Sequence, residues 1–148
     1  MITPAKKVQI EHIKHGGFMA RLVNDQILLT DGNIVVFAYK QECNLDLTKM
    51  KEMPEKAAKL LIEKDLTQYG KPVELSRKAL IIEKSTIRLF LTQEGEEIYV
   101  KESYLKLFPA TKYDYRSVEI ETECGPTLAI LCVKGEQCRG LIFPVKVY

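Results

Sequence analysis

The chain has 148 residues, of which 46% are hydrophobic and 28% charged, and its formal net charge is +2 at pH 7. This composition is typical of one globular domain over residues 1–148, and it excludes a disordered, collagenous or coiled-coil chain. Acidic and basic residues are interleaved, so the sequence disfavours a dedicated polyelectrolyte binder that depends on a concentrated basic face.

The N-terminal part of the chain predicts a short helix followed by a three-stranded meander. Residues 4–15 favour a helix, because Pro4 stands in the first turn and Gly16 follows the last. The alternation of Val8 with Ile10 also suits a strand, so this alternative stays open. Three apolar runs follow, at 18–23, 26–30 and 34–39. Turn-forming residues separate these runs, and the last run is apolar on both faces, which predicts a central strand.

The rest of the chain predicts one clear helix and a half that is rich in strands. Residues 54–66 repeat apolar positions at helical spacing, and residues 102–108 favour a helical turn that Pro109 stops. Seven strands are predicted, at 73–75, 79–83, 86–92, 97–100, 117–121, 127–133 and 139–147, with tight turns at 93–96 and 134–137. The predicted fold class is therefore α+β, an antiparallel β-rich single domain with two or three helices.

The sequence offers little material for catalysis. Nucleophilic catalysis near neutral pH usually needs a histidine base, and His12 and His15 are the only histidines. Both lie in a Lys-rich segment next to a glycine pair, so we interpret them as surface residues. The chain also lacks a glycine-rich phosphate loop. We therefore predict no catalytic residue, no cofactor and no enzymatic activity.

Two acidic or cysteine-containing segments are the candidates for a metal site. Glu119, Glu121 and Glu123 alternate along a predicted strand, a pattern that usually marks a solvent-facing side. Cys132 and Cys138 flank the turn at 134–137. A two- or four-residue loop places these cysteines on opposite faces, whereas a three-residue loop makes them diagonal neighbours. We expect reduced, buried thiols and no metal, and a metal-dependent or small-molecule enzyme stays the alternative.

Aromatic and basic residues interleave in two stretches, at 99–108 and 112–116. Such a pattern supplies stacking platforms beside phosphate contacts, and it equally fits tyrosine and lysine side chains that bury their stems in a core. The candidate nucleic-acid contacts are Lys56, Lys59, Lys101, Tyr104, Lys112, Tyr113 and Arg116. On the helix at 54–66, acidic residues accompany the lysines, which weakens a phosphate-binding interpretation.

Two segments resemble the domains of bacterial DNA sliding clamps. Residues 125–130, a turn and residues 141–147 resemble the closing hairpin of those domains, which also ends in three apolar residues, Pro, apolar, basic, apolar. The stretch 28–36 resembles the clamp signature Thr-Asp-Gly, with Asn33 and Ile34 in place of the usual His and Arg. The two segments cover roughly a quarter of the chain. Residues 104–109 followed by that hairpin also resemble small proteins of phages and mobile elements.

The resemblance implies an apolar groove that captures short peptide motifs of polymerases and other DNA-handling proteins. Its implied lining is Thr30, Asn33, Ile34 and Val35 on one side and Ile142, Phe143, Pro144, Val145 and Lys146 on the other. In clamps the two sides come from neighbouring domains, so a single domain implies either assembly of several copies or half a groove. The C-terminal segment equally fits a core strand with Pro144 at an edge.

We therefore expect a non-enzymatic, clamp-domain-like module that binds a protein partner or associates with itself in a bacterial or phage context. DNA is a further candidate partner. An architectural subunit of a phage or cellular assembly is the third alternative. Because no apolar run approaches the ~20 residues of a membrane span and residues 1–17 lack the apolar core of a signal peptide, we expect a cytosolic protein without a membrane partner.

Overall fold

The computed structural model describes residues 3–44, 46–62, 66–122 and 124–146. Its strands are β1 (Met19–Val23), β2 (Gln26–Thr30), β3 (Ile34–Tyr39), β4 (Lys51–Glu52), β5 (Lys71–Ile82), β6 (Ser85–Thr92), β7 (Glu97–Lys101), β8 (Asp114–Thr122), β9 (Gly125–Lys134) and β10 (Gln137–Ile142). They form one sheet in the order β4-β1-β2-β3-β10-β9-β8-β5-β6-β7. Every pairing is antiparallel except the short one between β1 and β4. The α+β prediction is confirmed.

Four helices accompany the sheet in the described residues: α1 (Pro4–His15), α2 (Glu55–Ile62), α3 (Leu66–Tyr69) and α4 (Glu102–Leu105). The helical alternative for residues 4–15 is confirmed. The Thr3 hydroxyl accepts a hydrogen bond from the Lys6 amide at 3.2 Å and so caps the first turn of α1. The helix predicted at 54–66 corresponds to α2 and the start of α3, and residues 63–65 lie outside the described residues.

The meander forms as predicted, and β3 is a central strand. It pairs with β2 on one side and with β10 on the other. Its first five residues are buried, because the strand has a packed layer on each face. Beyond β3, the pairings of β3 with β10 and of β8 with β5 join strands that are distant in sequence.

The two strands predicted at 73–75 and 79–83 are a single strand, β5. Its register with β6 shifts between Leu75 and Ala79, so the polar residues 76–78 form a bulge. These polar residues interrupt the apolar pattern, which is why the sequence predicts two strands where the backbone continues.

Two cores lie on opposite faces of the sheet. The α1-side core packs α1 and residues of α4, β6 and β7 against one face, with Phe90, Phe108 and Ile142 fully buried. The α2-side core packs α2 and α3 against the other face, with Leu131 and Leu141 fully buried. The strands β3, β9 and β10 therefore contribute to both cores by alternation.

The C-terminal strand is shorter than predicted. The prediction of a strand over 139–147 is wrong after Ile142, and residue 147 lies outside the described residues. The Phe143 amide still donates to the Asn33 carbonyl at 2.9 Å, but the Val145 amide donates to the Tyr99 carbonyl at 2.7 Å. Pro144 has no amide hydrogen to donate, and the chain crosses at this residue from the β3 side to β7. The sheet is thus curled until β7 meets the segment after β10.

The turn between β9 and β10 decides the relation of the two cysteines. It contains two residues, Gly135 and Glu136, both with positive φ. Cys132 therefore enters the α1-side core, whereas Cys138 packs against the α2-side core. The opposite-face alternative is confirmed, and the two sulfur atoms cannot bond across the sheet. Burial raises the pKa of the Cys132 thiol, which keeps it neutral.

Candidate partner-binding groove

An open apolar groove of about 370 Å³ runs between α2 and the sheet; we call it the α2 groove. Its apolar lining comes from Met19, Val35, Met53, Pro54, Ala57, Leu60, Leu61, Ile120 and Phe143. Its polar rim is formed by Thr30, Lys56, Glu121, Thr122 and Cys124. An apolar lining with a few polar groups at the rim is typical of a site that binds apolar side chains.

The helix α2 forms one wall of the groove because its apolar residues divide between two surfaces. Ala58 and Leu61 are buried in the α2-side core, whereas Ala57 and Leu60 are half-buried at the edge of that core. Residues three and four apart share a helix face, so the strip formed by Ala57 and Leu60 lies beside the buried one.

The start of α2 is fixed to strand β1. The Met53 amide donates to the Ala20 carbonyl at 2.9 Å, and Arg21 Nε donates to the Met53 carbonyl at 2.7 Å. Arg21 also pairs with Glu52 at 2.8 Å. These bonds hold the groove wall in place before any partner arrives, which lowers the ordering cost of binding.

Thr30, Val35 and Phe143 line the α2 groove and belong to the two segments that resemble clamps. Thr30 of β2 pairs directly with Val35 of β3, and Phe143 follows the end of β10. The Thr30-Asp31-Gly32 segment itself forms a turn, in which Thr30 Oγ1 accepts from the Gly32 amide at 3.0 Å. The sheet thus brings both segments together within a single chain.

The other six residues implied by the resemblance lie elsewhere. Ile34 and Ile142 are fully buried in the α1-side core, because alternation along β3 and β10 directs them away from the groove. Asn33 is exposed, and its carbonyl accepts from Phe143. Pro144 and Val145 are half-buried in the segment that crosses to β7, and Lys146 is exposed. The structure therefore does not bring these six residues to the α2 groove.

The helical wall of the groove is not among the site residues predicted from the sequence. Residues 54–66 predict a helix. Because Leu60 stands next to Leu61, the apolar strip of this helix is wider than the strip that packs against one core. That extra width is the signal that could have indicated a groove. The contribution of Ile120 from β8 depends on long-range pairing and has no local signal.

The predicted nucleic-acid contacts are distributed over both faces of the sheet. Lys56 and Lys59 lie on α2, where Lys59 is 3.8 Å from Glu55. Tyr104 and Tyr113 pack against the α1-side core on the opposite face, and Tyr113 meets the Phe108 ring edge to face at 5.2 Å. These tyrosine rings serve the core, as the alternative interpretation of the pattern proposes.

The three remaining basic candidates do not join the α2 lysines or the α1-side tyrosines in a continuous basic surface. Arg116 pairs with Asp114 at 3.1 Å and with Glu136 at 3.4 Å. Lys101 is half-buried at the end of β7, and Lys112 is exposed in the loop before β8. The structure thus does not gather the seven candidates into one basic surface.

The candidate metal and catalytic groups are also dispersed. Glu119 and Glu121 are exposed on β8, and Glu123 lies outside the described residues. In the ranges that the structure describes, no group of three or more His, Cys, Asp or Glu side chains is arranged to hold a metal ion. His12 Nδ1 accepts from the Phe18 amide at 3.2 Å, and His15 lies 3.9 Å from Glu11.

A tyrosine ties α4 to the turn that follows β2. The Tyr104 hydroxyl donates to Asp31 Oδ2 at 2.8 Å. Burial, and then the hydrogen bond to Asp31, raise the pKa of Tyr104 to about 12. Burial likewise raises the pKa of Tyr115 to about 12. Both phenols therefore favour their neutral form in the folded protein.

We expect the Tyr104→Phe variant to lose less stability than the wild type between pH 10 and 12. A raised folded-state pKa contributes stability that is fully present below the ordinary tyrosine pKa of 10.0 and is lost as the pH rises toward about 12. Urea unfolding below pH 10 and within this window measures the difference. Tyr69→Phe, at an exposed tyrosine, is the matched control. Equal pH dependence of the wild type and Tyr104→Phe would contradict the assignment.

Fold and groove together define a small α+β domain with a preformed apolar groove between one helix and a mostly antiparallel sheet. Comparison with known proteins gives no match, whether to a family model, to a curated protein or to a solved structure. Among the described residues, no helix is both long enough and apolar enough to cross a membrane.

Proposed function

We propose that the protein is a non-enzymatic, clamp-domain-like interaction module that binds a short extended segment of a protein in the α2 groove. The observation that carries this proposal is the convergence of Thr30, Val35 and Phe143, from the two clamp-like segments, on one apolar groove. The α2 wall of this groove is held to β1 by a backbone hydrogen bond and by the Arg21 side chain.

Strand β8 offers backbone hydrogen-bonding groups beside the groove. Its outer edge pairs with β5 only through Ser117 and Arg116, and the described residues supply no strand partner for positions 118–122 of that edge. Ile120, Glu121 and Thr122 in this stretch also line the α2 groove. A bound segment can therefore add to the edge of β8 and direct side chains into the groove, as in β-strand addition.

The size of the apolar contribution indicates what kind of segment binds. Burial of one Leu or Phe side chain contributes about 1.5–3 kcal/mol, whereas micromolar affinity requires about 8 kcal/mol. One anchor does not reach that value, and binding also costs ordering entropy. The proposed ligand thus carries at least two apolar anchors and pairs through its backbone.

We expect Leu60→Glu to weaken the binding of synthetic peptides with Leu or Phe at alternate positions by at least about tenfold, which is 1.4 kcal/mol. A carboxylate on the groove wall must lose its hydration when an apolar anchor binds. Amide chemical shifts measured by NMR during peptide titration give both the affinity and the site. In the wild type the shifts should cluster at Val35, Ile120 and the α2 residues.

Ile13→Glu is the matched control for this experiment, because Ile13 is an exposed isoleucine, 71% accessible, on α1. This variant should bind peptides like the wild type. Peptide binding that is unchanged in Leu60→Glu, or shifts that cluster away from the groove, would overturn the proposed function.

A duplex titration at increasing salt tests the DNA alternative. Affinity that falls steeply as salt rises would indicate phosphate contacts and would favour a DNA-binding role. Under the proposed function, the peptide affinity depends much less on salt, because its main contribution is apolar burial.

A further inference from the structure

The end of the β5–β6 hairpin is an apolar projection. Leu80, Ile81 and Ile82 are consecutive, and their accessible fractions are 41%, 79% and 37%. In the described part of the chain, residues 79–82 pair only with β6, so their outer edge has no strand partner. Three adjacent exposed aliphatic residues on an open strand edge form a template for association with another strand. We call residues 79–82 the hairpin tip.

The turn that closes this hairpin is built from residues that rarely adopt its conformation. Glu83 and Lys84 have φ values of 49° and 70°. Both lie in the left-handed region, where Asn and Gly are the favoured residues of two-residue hairpin turns. The apolar residues of the tip are thus presented next to a turn that carries two charges of opposite sign.

The hairpin tip and the α2 groove lie toward opposite ends of the sheet. The strands β5 and β8 are antiparallel, and they pair only at Lys71 with Ser117 and at Pro72 with Arg116. From this point β5 runs toward its tip, whereas β8 residues 118–122 run in the opposite direction along the groove. At about 3.3 Å per residue, Ile82 lies about 33 Å along β5 from Pro72. The tip is directed away from the groove of its own chain.

The charges around the two features are complementary. Arg77, Lys78 and Lys84 flank the hairpin tip and make its surroundings basic, and Glu83 is the acidic residue beside it. Glu121 of β8 and Lys56 of α2 both line the groove. The exposed Glu119 adds a second carboxylate to β8, outside the groove lining. A tip that enters the groove can therefore bring the basic residues beside it to β8 and Glu83 toward Lys56. Such a match favours this pairing over an approach between two tips with basic surroundings.

We propose that the hairpin tip of one copy is the segment that binds in the α2 groove of a second copy, adding to the outer edge of its β8. This inference rests on the proposed function and names the ligand of the same groove. The contact joins two different surfaces, so each copy keeps one free tip and one free groove. Copies therefore join head to tail, which produces a closed ring or an open chain rather than a symmetric dimer.

Two variants test the proposal by complementation. Ile81→Glu disrupts binding by the hairpin tip and leaves the α2 groove unchanged. Leu60→Glu disrupts binding by the α2 groove and leaves the hairpin tip unchanged. The wild type should show a scattering mass that rises with concentration above the 16.9 kDa of one chain. Each variant alone should associate at least about tenfold more weakly. An equimolar mixture of the two should form a heterodimer of twice the chain mass and nothing larger, because one tip and one groove remain usable.

Ile13→Glu is the control and should associate like the wild type. A Leu60→Glu protein that still dimerises would indicate tip-to-tip pairing and overturn the proposal. A strictly monomeric wild type, or a mixture that fails to form the heterodimer, would also overturn it. Ile81-dependent binding of anionic vesicles by a monomeric protein would assign the tip to a lipid surface instead.

The failure of this inference can be distinguished from failure of the proposed function. If synthetic peptides bind the groove while copies do not associate, only the self-association is wrong. If neither peptides nor second copies shift the amides of the groove, the groove has no binding role and both proposals fail. Circular dichroism of each variant verifies that the charge substitution leaves the fold intact.

Discussion

Gly140→Ala is expected to destabilise the protein by about 3 kcal/mol, because a methyl group at this position has no space beneath Phe108. A Cβ on Gly140 would lie 2.2 Å from Phe108 Cζ and 2.6 Å and 2.7 Å from its two neighbouring ring carbons. The clash involves ring atoms of a fully buried side chain rather than the end of a flexible one.

The Phe108 ring cannot easily move to relieve this clash. The Phe108 and Tyr113 rings pack edge to face with their centroids 5.2 Å apart, and the Tyr115 hydroxyl donates to the Phe108 carbonyl. Gly140 itself pairs with Val36 of β3 and with Cys132 of β9, so its strand is held on both sides. Overpacking at such a position forces shifts of the backbone or of neighbouring side chains.

Urea unfolding measured by circular dichroism gives the loss of stability. The control is a double-mutant cycle with Phe108→Leu, which replaces the ring by a smaller side chain. Phe108→Leu alone should destabilise, but the additional cost of Gly140→Ala should fall in that background. A Gly140→Ala cost that is the same in both backgrounds would show that the ring is not the cause.

Much of the strand pattern can be predicted from local sequence. The meander, the turn at 134–137 and the central position of β3 follow from alternation and from turn residues, which act within a few positions of the chain. At the bulge in β5 the sequence predicts a loop between two strands, because a bulge and a loop both place polar residues between apolar runs. Local patterns therefore locate the strands more accurately than they define their continuity.

The sheet order and most of the groove depend on contacts between distant residues. Pairing of β10 with β3 and of β8 with β5 is decided by which apolar faces pack together, and a local pattern does not encode that choice. The family resemblance predicts Val35 and Phe143 as groove residues. Leu60 and Ile120 can be predicted only if the packing of α2 against β8 is known. The α2 wall is for this reason absent from the groove predicted from the sequence.

Gln9 shows how a buried polar residue escapes prediction. In the sequence it stands between Val8 and Ile10 in a short helix that also carries several charged residues, and its polar side chain suggests a solvated position. In the structure it is 6% accessible. Its Nε2 donates to the Ala5 carbonyl at 3.1 Å and to the Glu42 carbonyl at 2.9 Å, while its Oε1 accepts from the Asn44 amide at 2.8 Å. One side chain thus satisfies backbone groups on either side of residue 43.

Gln9→Ala is therefore expected to destabilise the protein by about 2–4 kcal/mol. The substitution leaves the Glu42 carbonyl and the Asn44 amide without this partner, and each unsatisfied group costs about 1–3 kcal/mol. The effect should extend beyond α1, because the Glu42 carboxylate accepts from the Tyr39 amide at 2.9 Å and from Arg139 at 2.6 Å. Loosening of residues 40–44 would then weaken a link between β3 and β10.

Urea unfolding gives the loss of stability, and hydrogen exchange of the Asn44 amide gives its location. Gln41→Ala is the matched control, since it removes an exposed glutamine from the same segment and should change stability by no more than about 0.5 kcal/mol. In Gln9→Ala the Asn44 amide should exchange faster even under conditions where the core amides stay protected, because the lost bond is local. Unchanged Asn44 exchange in a destabilised variant would assign the loss to the packing of α1 rather than to these hydrogen bonds.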